Sequence, residues 1–296
     1  MAVTMICGFP ASGKSSLTSK LLGPEVVILN RDTEGGTILQ LLPKLESYLK
    51  NKTNVILDNL FPTSEIRKPF IELCKKYNTD ISCYWVKTSL EDAQFNASQR
   101  MIKLAGKILN PEEIKKAKHP NIFPPAVLFK YKKEFQPPQL NEGFTVVKAV
   151  DFIREDDPSF TNKAVIVDYD GTLRECVGGN DKFPTQKEHI KIKDNRKEVL
   201  QKYLDQGYLL LGVSNQSGVH KGELSYDICD ELFKYTNQQL GLEIDYKFCP
   251  HQSAPISCYC RKPSVGLGVE FILKYKLNRQ QSIVVGDMTT DKTFAT

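Results

Sequence analysis

The sequence predicts an α/β chain of two doubly wound parallel-sheet domains, and three observations carry that prediction. Short apolar runs, each suited to a buried strand, alternate with longer helical stretches. One run, Val3 to Cys7, leads directly into Gly8-Phe9-Pro10-Ala11-Ser12-Gly13-Lys14-Ser15-Ser16. Another, Ala164 to Val167, leads into Asp168-Tyr169-Asp170-Gly171-Thr172-Leu173. Open parallel sheets bind ligands beyond the carboxyl ends of their strands, which is where both polar clusters fall. The 296 residues, 41% hydrophobic and 25% charged, suffice for two ordinary cores.

The first cluster reads GxxxxGKS in a strand–loop–helix setting, the P-loop spacing. Gly8 and Gly13 let backbone N–H groups turn inward around a phosphate, and the following helix adds its positive end. Lys14 reaches the outer phosphates, the Ser15 hydroxyl suits magnesium, and Ser12 and Ser16 complete the ATP loop. A second strand, Glu25 to Leu29, ends in Asn30-Arg31-Asp32; a third, Asn54 to Leu57, ends in Asp58-Asn59; a fourth covers Ile81 to Val86. Helices are expected over Ile38 to Lys50, over Ser64 to Tyr77, and after Ser89, where Asp92 makes a capping-box variant. Asp32 is a candidate base for an attacking hydroxyl, and Asp58 a candidate magnesium-orienting acid. Each alone also reads as a helix cap or turn acid; both stand at strand ends beside the P-loop.

Arg154 to Ser159 is charged, contains Pro158 and has no apolar period, so it marks a boundary. The expected division is a P-loop domain over 1–153, a linker over 154–160 and a second domain over 161–296. In that second domain two carboxylates, Asp168 and Asp170, stand two residues apart at a strand end and point to one side. Such a pair needs a cation or a shared proton. Magnesium held there leaves one carboxylate able to attack phosphorus. The bland alternative is an Asx-rich turn. Cys176 to Pro184, with Gly178-Gly179-Asn180-Asp181, reads as a flap. Asp194 to Gln206 is helical, capped by Gly207. The strand Tyr208 to Val213 leads to Ser214-Asn215-Gln216-Ser217-Gly218, which either holds phosphate oxygens or is a plain turn.

Cys249-Pro250-His251 and Cys258-Tyr259-Cys260-Arg261-Lys262-Pro263 place three thiols and an imidazole within twelve residues. Cys249, His251, Cys258 and Cys260 match a tetrahedral zinc site, and four protein ligands leave no open position, so the ion is structural. Lys262 follows at once, placed to neutralise phosphoryl charge. A last strand, Ser282 to Val285, ends in Gly286-Asp287-Met288-Thr289-Thr290-Asp291.

No apolar run approaches the roughly 20 residues of a membrane span, and no secretory leader opens the sequence, so a cytoplasmic or nuclear protein is expected. Eight cysteines in a chain this long are not a disulfide scaffold. The net charge of +5 is uneven: residues 1–153 carry 21 Lys+Arg against 15 Asp+Glu. Eight lysines and two acids fall between Lys103 and Lys133. That run is either a solvated helical face or a surface for a phosphate backbone.

The order GFPASGKSS, NRDT-x-G (Asn30 to Gly35), VILDN (Val55 to Asn59) and Asn96-x-x-x-Arg100 resembles the kinase domain of polynucleotide 5′-kinase/3′-phosphatases, over roughly residues 3–150. The stretch Tyr131 to Phe144 is similar to the end of that domain in the animal enzymes. The resemblance implies that Asp32 deprotonates or orients a 5′-hydroxyl and that Arg100, on a lid helix, grips the nucleotide phosphates. Asn96 and Arg100, four apart, share a helical face. Gly35 stands where the phage enzyme has an acceptor-binding arginine, so Arg67, Lys68 and the lysine run become the acceptor candidates.

DYDGT, SNQ, CRKP and GDMTTD occur in the order of the haloacid-dehalogenase phosphatase superfamily, over residues 163–291. The cysteine loop resembles that of histidinol-phosphate and heptose-bisphosphate phosphatases. This resemblance implies that Asp168 is the nucleophile and Asp170 the general acid and base. Ser214 and Lys262 would hold phosphoryl oxygens, and Asp287 would complete the magnesium site with Asp168 and Asp170; Asp291 stands close by. Phe183-Pro184-Thr185 matches the animal polynucleotide phosphatases, from which the zinc loop departs. Another helix and strand are usual after Asp287 in that superfamily. Either the chain is truncated or the domain closes short.

Together these resemblances imply an end-healing enzyme. It moves the ATP γ-phosphate to a nucleic-acid 5′-hydroxyl and removes a 3′-phosphate, with ATP, Mg²⁺ and Zn²⁺ as cofactors. Its products are what a nucleic-acid ligase requires. The alternative is a sugar or metabolite kinase fused to a sugar-phosphate phosphatase, which the zinc loop favours.

Overall fold

The computed structural model describes residues 1–178 and 183–295. Its backbone contacts divide the chain into two compact units: 1–97 with 118–154, and 98–117 with 155–296. The segment 98–117, expected with the first domain, clusters with the second because Ile108 packs into that unit's core and its N–H donates to Glu270.

From residue 1 to 154 the elements run β1 (Ala2–Cys7), α1 (Lys14–Leu21), β2 (Val26–Leu29), α2 (Arg31–Glu34), α3 (Leu42–Lys50), β3 (Asn54–Asp58), α4 (Ser64–Lys76), β4 (Asp80–Lys87), α5 (Leu90–Ala105), α6 (Pro111–Lys116), α7 (Ala126–Glu134) and β5 (Val146–Asp151), of which α6 falls in the second unit. The five strands pair in parallel in the order β2-β3-β1-β4-β5. Val3, Met5, Cys7, Val55, Leu57, Ile81 and Cys83 lie on one face, against Leu45 and Leu49 of α3 and Phe70, Ile71 and Cys74 of α4. Ile6, Ile56 and Val86 lie on the other, against Leu17 and Leu21 of α1. Side chains alternate along a strand, so near-continuous apolar runs are the mark of a sheet covered on both faces.

Three local outcomes differ from expectation. The helix expected over 38–50 is a 3₁₀ turn, Ile38–Leu41, followed by α3. Pro43 has no N–H for the carbonyl of Leu39, so the α-helix starts afresh with proline in its first turn. β5 was not expected. It is an edge strand with mostly exposed side chains, including Lys148 and Asp151, and its sequence carries no buried face. The helices α6 and α7, also unexpected, occupy the lysine-rich stretch.

The second unit continues as β6 (Lys163–Val167), β7 (Arg174–Cys176), β8 (Ile190–Ile192), α8 (Arg196–Asp205), β9 (Tyr208–Asn215), α9 (Ser217–His220), α10 (Tyr226–Leu240), β10 (Asp245–Cys249), α11 (Gly266–Tyr275), β11 (Ile283–Val285) and α12 (Thr289–Phe294). Four strands pair in parallel in the order β10-β9-β6-β11. Val165, Val167, Leu210 and Phe248 face α8 and α10; Ala164, Ile166, Leu211 and Val213 face α11 and Phe294 of α12. Both sheets are therefore doubly wound. β7 and β8 form a separate antiparallel pair on either side of the stretch read as a flap, of which Gly179, Asn180, Asp181 and Lys182 lie outside the described residues.

β9 extends two residues further than expected, so Ser214 and Asn215 stand in the ladder opposite Phe248 and Cys249 and are not a turn. α10, β10 and α11 were not expected. Gly266 and Gly268 make α11 look like a loop in sequence, yet both are needed for packing. A Cβ on Gly266 would meet the Tyr259 carbonyl oxygen at 2.5 Å, and one on Gly268 the Phe294 ring at 2.8 Å. After Asp287 one further helix, α12, forms and packs Phe294 into the core.

Candidate active sites

The P-loop spans the gap between β1 and α1. Gly8 has φ of 153°, and a Cβ there would meet Ser12 Oγ at 2.9 Å and the Val86 carbonyl oxygen at 3.0 Å, so only glycine keeps the loop open. Lys14 Nζ donates to the carbonyls of Gly8 (3.1 Å) and Phe9 (2.6 Å). Ser12 Oγ is buried without a hydrogen-bond partner. A buried, unpartnered hydroxyl beside a buried lysine at the start of a helix suits an anion, and the loop fits the phosphates of ATP. Ser15 and Ser16 are exposed at the first turn of α1, and Gly13 precedes it with φ of 89°.

Asp58, at the end of β3, is buried and accepts from Thr18 Oγ1 (3.0 Å). Its carboxylate and the Ser15 hydroxyl are oxygen donors of the kind that magnesium takes. Asp32 is exposed in α2, where its carboxylate meets Arg31 NH2 at 2.9 Å. Asn59 positions that helix: its Oδ1 accepts from the Arg31 N–H, and its Nδ2 donates to the Leu29 carbonyl.

Two supports of the loop were missed from sequence. Asn96 Nδ2 donates to the Ala11 carbonyl (2.7 Å), and Arg154 NH1 donates to Asn96 Oδ1 (2.7 Å). Arg154 stacks on Phe95, 3.9 Å from its ring centre, and pairs with Asp92. Its place in the charged boundary stretch hid this role. Arg100 is half-buried on α5, within the segment that clusters with the second unit.

The acceptor candidates divide. Arg67 is corrected: it is wholly buried, bidentate to Glu142 (2.7 and 2.8 Å), and donates to the carbonyls of Phe61 and Gln136. A guanidinium so engaged is a structural tie with no face for a ligand. Lys68 is exposed, 3.8 Å from Glu72 one helical turn on. The lysine run is shared between the two units, with Lys107 paired to Glu113.

In the second unit a cavity of about 670 Å³ opens at the strand ends, lined by Asp168, Asp170, Ser214, Asn215, Lys262 and Asp287 among others. Asp168 follows β6 directly, with burial pushing its carboxyl up while Lys262 and the Ser214 hydroxyl pull it down; burial wins. Lys262 is itself buried. Its Nζ donates to the Val213 carbonyl and lies 2.9 Å from Asp168 Oδ1 and 2.6 Å from Asp291 Oδ1. Asp168, Asp287 and Asp291 bring one oxygen each within 4.8 Å of one another. Gly171, φ 82°, is required here, because a Cβ would run into the Asp287 carboxylate. Three converging carboxylates, two of them buried, fit a hard divalent cation such as magnesium.

Asp170 faces elsewhere than expected. Its carboxylate is held by Arg174 Nε at 2.8 Å and by Gln216 Nε2 at 2.6 Å, and Asp291 takes its place in the acidic cluster. Gln216 Nε2 also reaches Ser214 Oγ (3.1 Å).

Cys249, His251, Cys258 and Cys260 converge, their donor atoms all within 4.8 Å. The Cys249–Cys258 sulfur separation is 3.6 Å, and His251 Nδ1 lies 3.1 Å from Cys260 Sγ. A tetrahedron with bonds of about 2.3 Å has edges near 3.8 Å, so the set fits zinc. Its thiols begin at the end of β10 and finish two residues before Lys262. Asn215 completes the link, accepting from the Lys262 N–H (2.9 Å) and donating to the Lys262 carbonyl (3.0 Å). Asn215 was read from sequence only as part of a phosphate-holding tip; its grip on the lysine backbone was not.

Comparison with known proteins bears on both halves. Residues 3–112 match the family described as AAA domain, and residues 163–295 match the family described as polynucleotide kinase 3 phosphatase. A probable D-glycero-D-manno-heptose-1,7-bisphosphate 7-phosphatase of Thermoplasma volcanium is 34% identical over 133 residues, 42% of this chain and 85% of the relative. A D-glycero-beta-D-manno-heptose-1,7-bisphosphate 7-phosphatase of Haemophilus influenzae is 32% identical over 139 residues, 44% of this chain and 73% of the relative. A chain in the structure of the Pnkp1/Rnl/Hen1 RNA repair complex aligns over 99% of this chain and 91% of its own, at 19% identity and a TM-score of 0.31. No helix among the described residues is long and apolar enough to cross a membrane. Over residues 163–295 the chain carries a phosphatase domain of the family described as polynucleotide kinase 3 phosphatase, joined in one chain to a P-loop kinase domain that matches the AAA description over residues 3–112.

Proposed function

We propose that the chain heals broken nucleic-acid ends, phosphorylating a 5′-hydroxyl from ATP and hydrolysing a 3′-phosphate. The observation that carries this reading is the pairing, in one chain, of a P-loop with a phosphatase half matched by the polynucleotide kinase 3 phosphatase family. In the first unit the loop amides and Lys14 hold the β- and γ-phosphates, with Ser15 and Asp58 holding magnesium. Asp32, exposed on α2, takes the proton of the 5′-hydroxyl, and Arg100 acts on the nucleotide phosphates.

In the second unit Asp168 attacks phosphorus while the bond to the 3′-oxygen breaks, and Asp170 gives that oxygen its proton. Water then attacks the aspartyl-phosphate, returning a proton to Asp170 and releasing inorganic phosphate and the Asp168 carboxylate. Lys262 and Ser214 hold the phosphoryl oxygens throughout. Magnesium, when held by Asp168, Asp287 and Asp291, neutralises charge on those oxygens. The zinc ligands shape the loop that carries Lys262. The products, a 5′-phosphate and a 3′-hydroxyl, are the substrates of a nucleic-acid ligase.

A second reading is a small-molecule kinase fused to a sugar-bisphosphate phosphatase, favoured by the zinc loop and by the heptose-bisphosphate relatives. One assay separates them. Radiolabelled ATP is supplied with 5′-hydroxyl, 3′-phosphate DNA and RNA oligomers, beside free sugar phosphates. The end-healing reading expects turnover of oligomers, with binding that weakens steeply as salt rises. Turnover of sugar phosphates alone, with no oligomer binding at low salt, overturns it.

A further inference from the structure

We propose that Arg174 is a positioning residue of the phosphatase, its buried guanidinium fixing the Asp170 carboxyl where a proton passes to the departing oxygen. The inference rests on the phosphatase reading above and adds to it the residue that aims the acid.

Arg174 is 1% exposed, a cost offset by three hydrogen bonds and two aromatic neighbours. NH1 donates to the Leu232 carbonyl (2.9 Å) and to Thr236 Oγ1 (2.8 Å), both on α10. The guanidinium carbon lies 4.7 Å from the centre of the Phe233 ring and 5.5 Å from that of Tyr169. The core side of the cation is therefore anchored to a helix. Nε is the atom turned toward the cavity wall, and it holds Asp170 Oδ1.

The loop between them is closed. The Gly171 N–H donates to the Arg174 carbonyl, and the N–H groups of Leu173 and Arg174 both donate to the Tyr169 carbonyl. Gln216 holds the second carboxyl oxygen. With one fixed donor on each oxygen, rotation of the Asp170 carboxyl would break two charge-assisted bonds. Stability alone does not explain a cation here, since an apolar side chain could pack between the same two rings, and buried ion pairs seldom add net stability. What the arginine adds is direction at a group that lines the cavity.

Misdirecting an acid affects a substrate in proportion to its need for a proton. An alkoxide leaving group requires one; p-nitrophenolate leaves without it. The experiment compares kcat and KM for a 3′-phosphorylated oligomer and for p-nitrophenyl phosphate in the wild type, Arg174→Met, Arg174→Lys and Thr236→Val, with melting temperature and zinc content as folding controls. The 3′-phosphate of a sugar replaces the oligomer should the wild type prefer it. Arg174→Met is expected to lower kcat on the alkyl phosphate by about 10²-fold and on the aryl phosphate by less than about fivefold, with KM little changed. Arg174→Lys should recover part of the loss. Thr236→Val, which loosens the anchor and keeps the cation, should give a smaller loss of the same selectivity and serves even where Arg174→Met does not fold. Equal losses on both substrates across the folded variants would overturn the inference and leave the phosphatase reading standing. A wild type that hydrolyses neither substrate overturns both.

Discussion

In the first unit Lys14 donates to the carbonyls of its own loop, while in the second Lys262 stands between two carboxylates. The carbonyls of Gly8 and Phe9 carry no net charge, so a lysine that turns from them to an incoming phosphate strands no ion there. Lys262 has no such freedom. The cavity in which it sits is lined by Asp168, Asp170, Glu175 and Asp287 against Lys262 and Arg261, with buried Asp291 also on Lys262, an excess of negative charge that repels a phosphate. One site is nearly ready for its anion; the other needs a divalent cation before an anion can enter. The difference teaches why two phosphoryl chemistries in one chain are built from unlike parts.

The sharpest way to break that comparison is to remove one nucleophile or one cation at a time. Asp168→Asn should lower phosphatase turnover by at least about 10⁴-fold and leave transfer from ATP intact. Lys14→Ala should do the converse, costing phosphoryl transfer about 10³-fold. Assays of both activities on each variant check this, and loss of both from either change would mean that the sites are not independent.

Stability separates the units next. Arg67→Met strands Glu142 beside a buried tie and should cost about 3–5 kcal/mol, read from denaturant melts of the first unit with phosphatase activity retained. Stripping zinc with a thiol-selective chelator should lower the melting temperature of the second unit, leaving ATP binding unchanged. An unmoved melt would contradict a structural ion. The smallest expected effect is that of Asn215→Ala. Freeing the Lys262 backbone should lower phosphatase kcat about tenfold with little change in overall stability, measurable by parallel kinetics and melts.

What the sequence disclosed was what is local. The P-loop, the Asp168–Asp170 pair and the cysteine loop each declare themselves within about a dozen residues, because their chemistry is set by neighbours in the chain. Arg67 was misread because an arginine on a helix looks solvent-facing until Glu142, 75 residues on, is known to close over it. Arg174 was passed over for a like reason: its carbonyl and hydroxyl partners lie on α10, some 60 residues away. The acidic cluster was assigned by strand position, yet which carboxylate joins it is decided by the fold. Asp170 is drawn off by Arg174 and Gln216, and Asp291 reaches in from the first turn of α12. α11 was missed because its glycines answer to tight packing and not to helix propensity.

The seat of Lys262 has one more consequence. The lysine is delivered by a strap pinned at one end through thiols and at the other through a single amide side chain. Oxidants or scarcity of zinc would therefore unfasten the strap and silence hydrolysis, whereas the P-loop, which contains no cysteine, would keep its grip on phosphate. Under those conditions the two activities of one polypeptide would fall out of step.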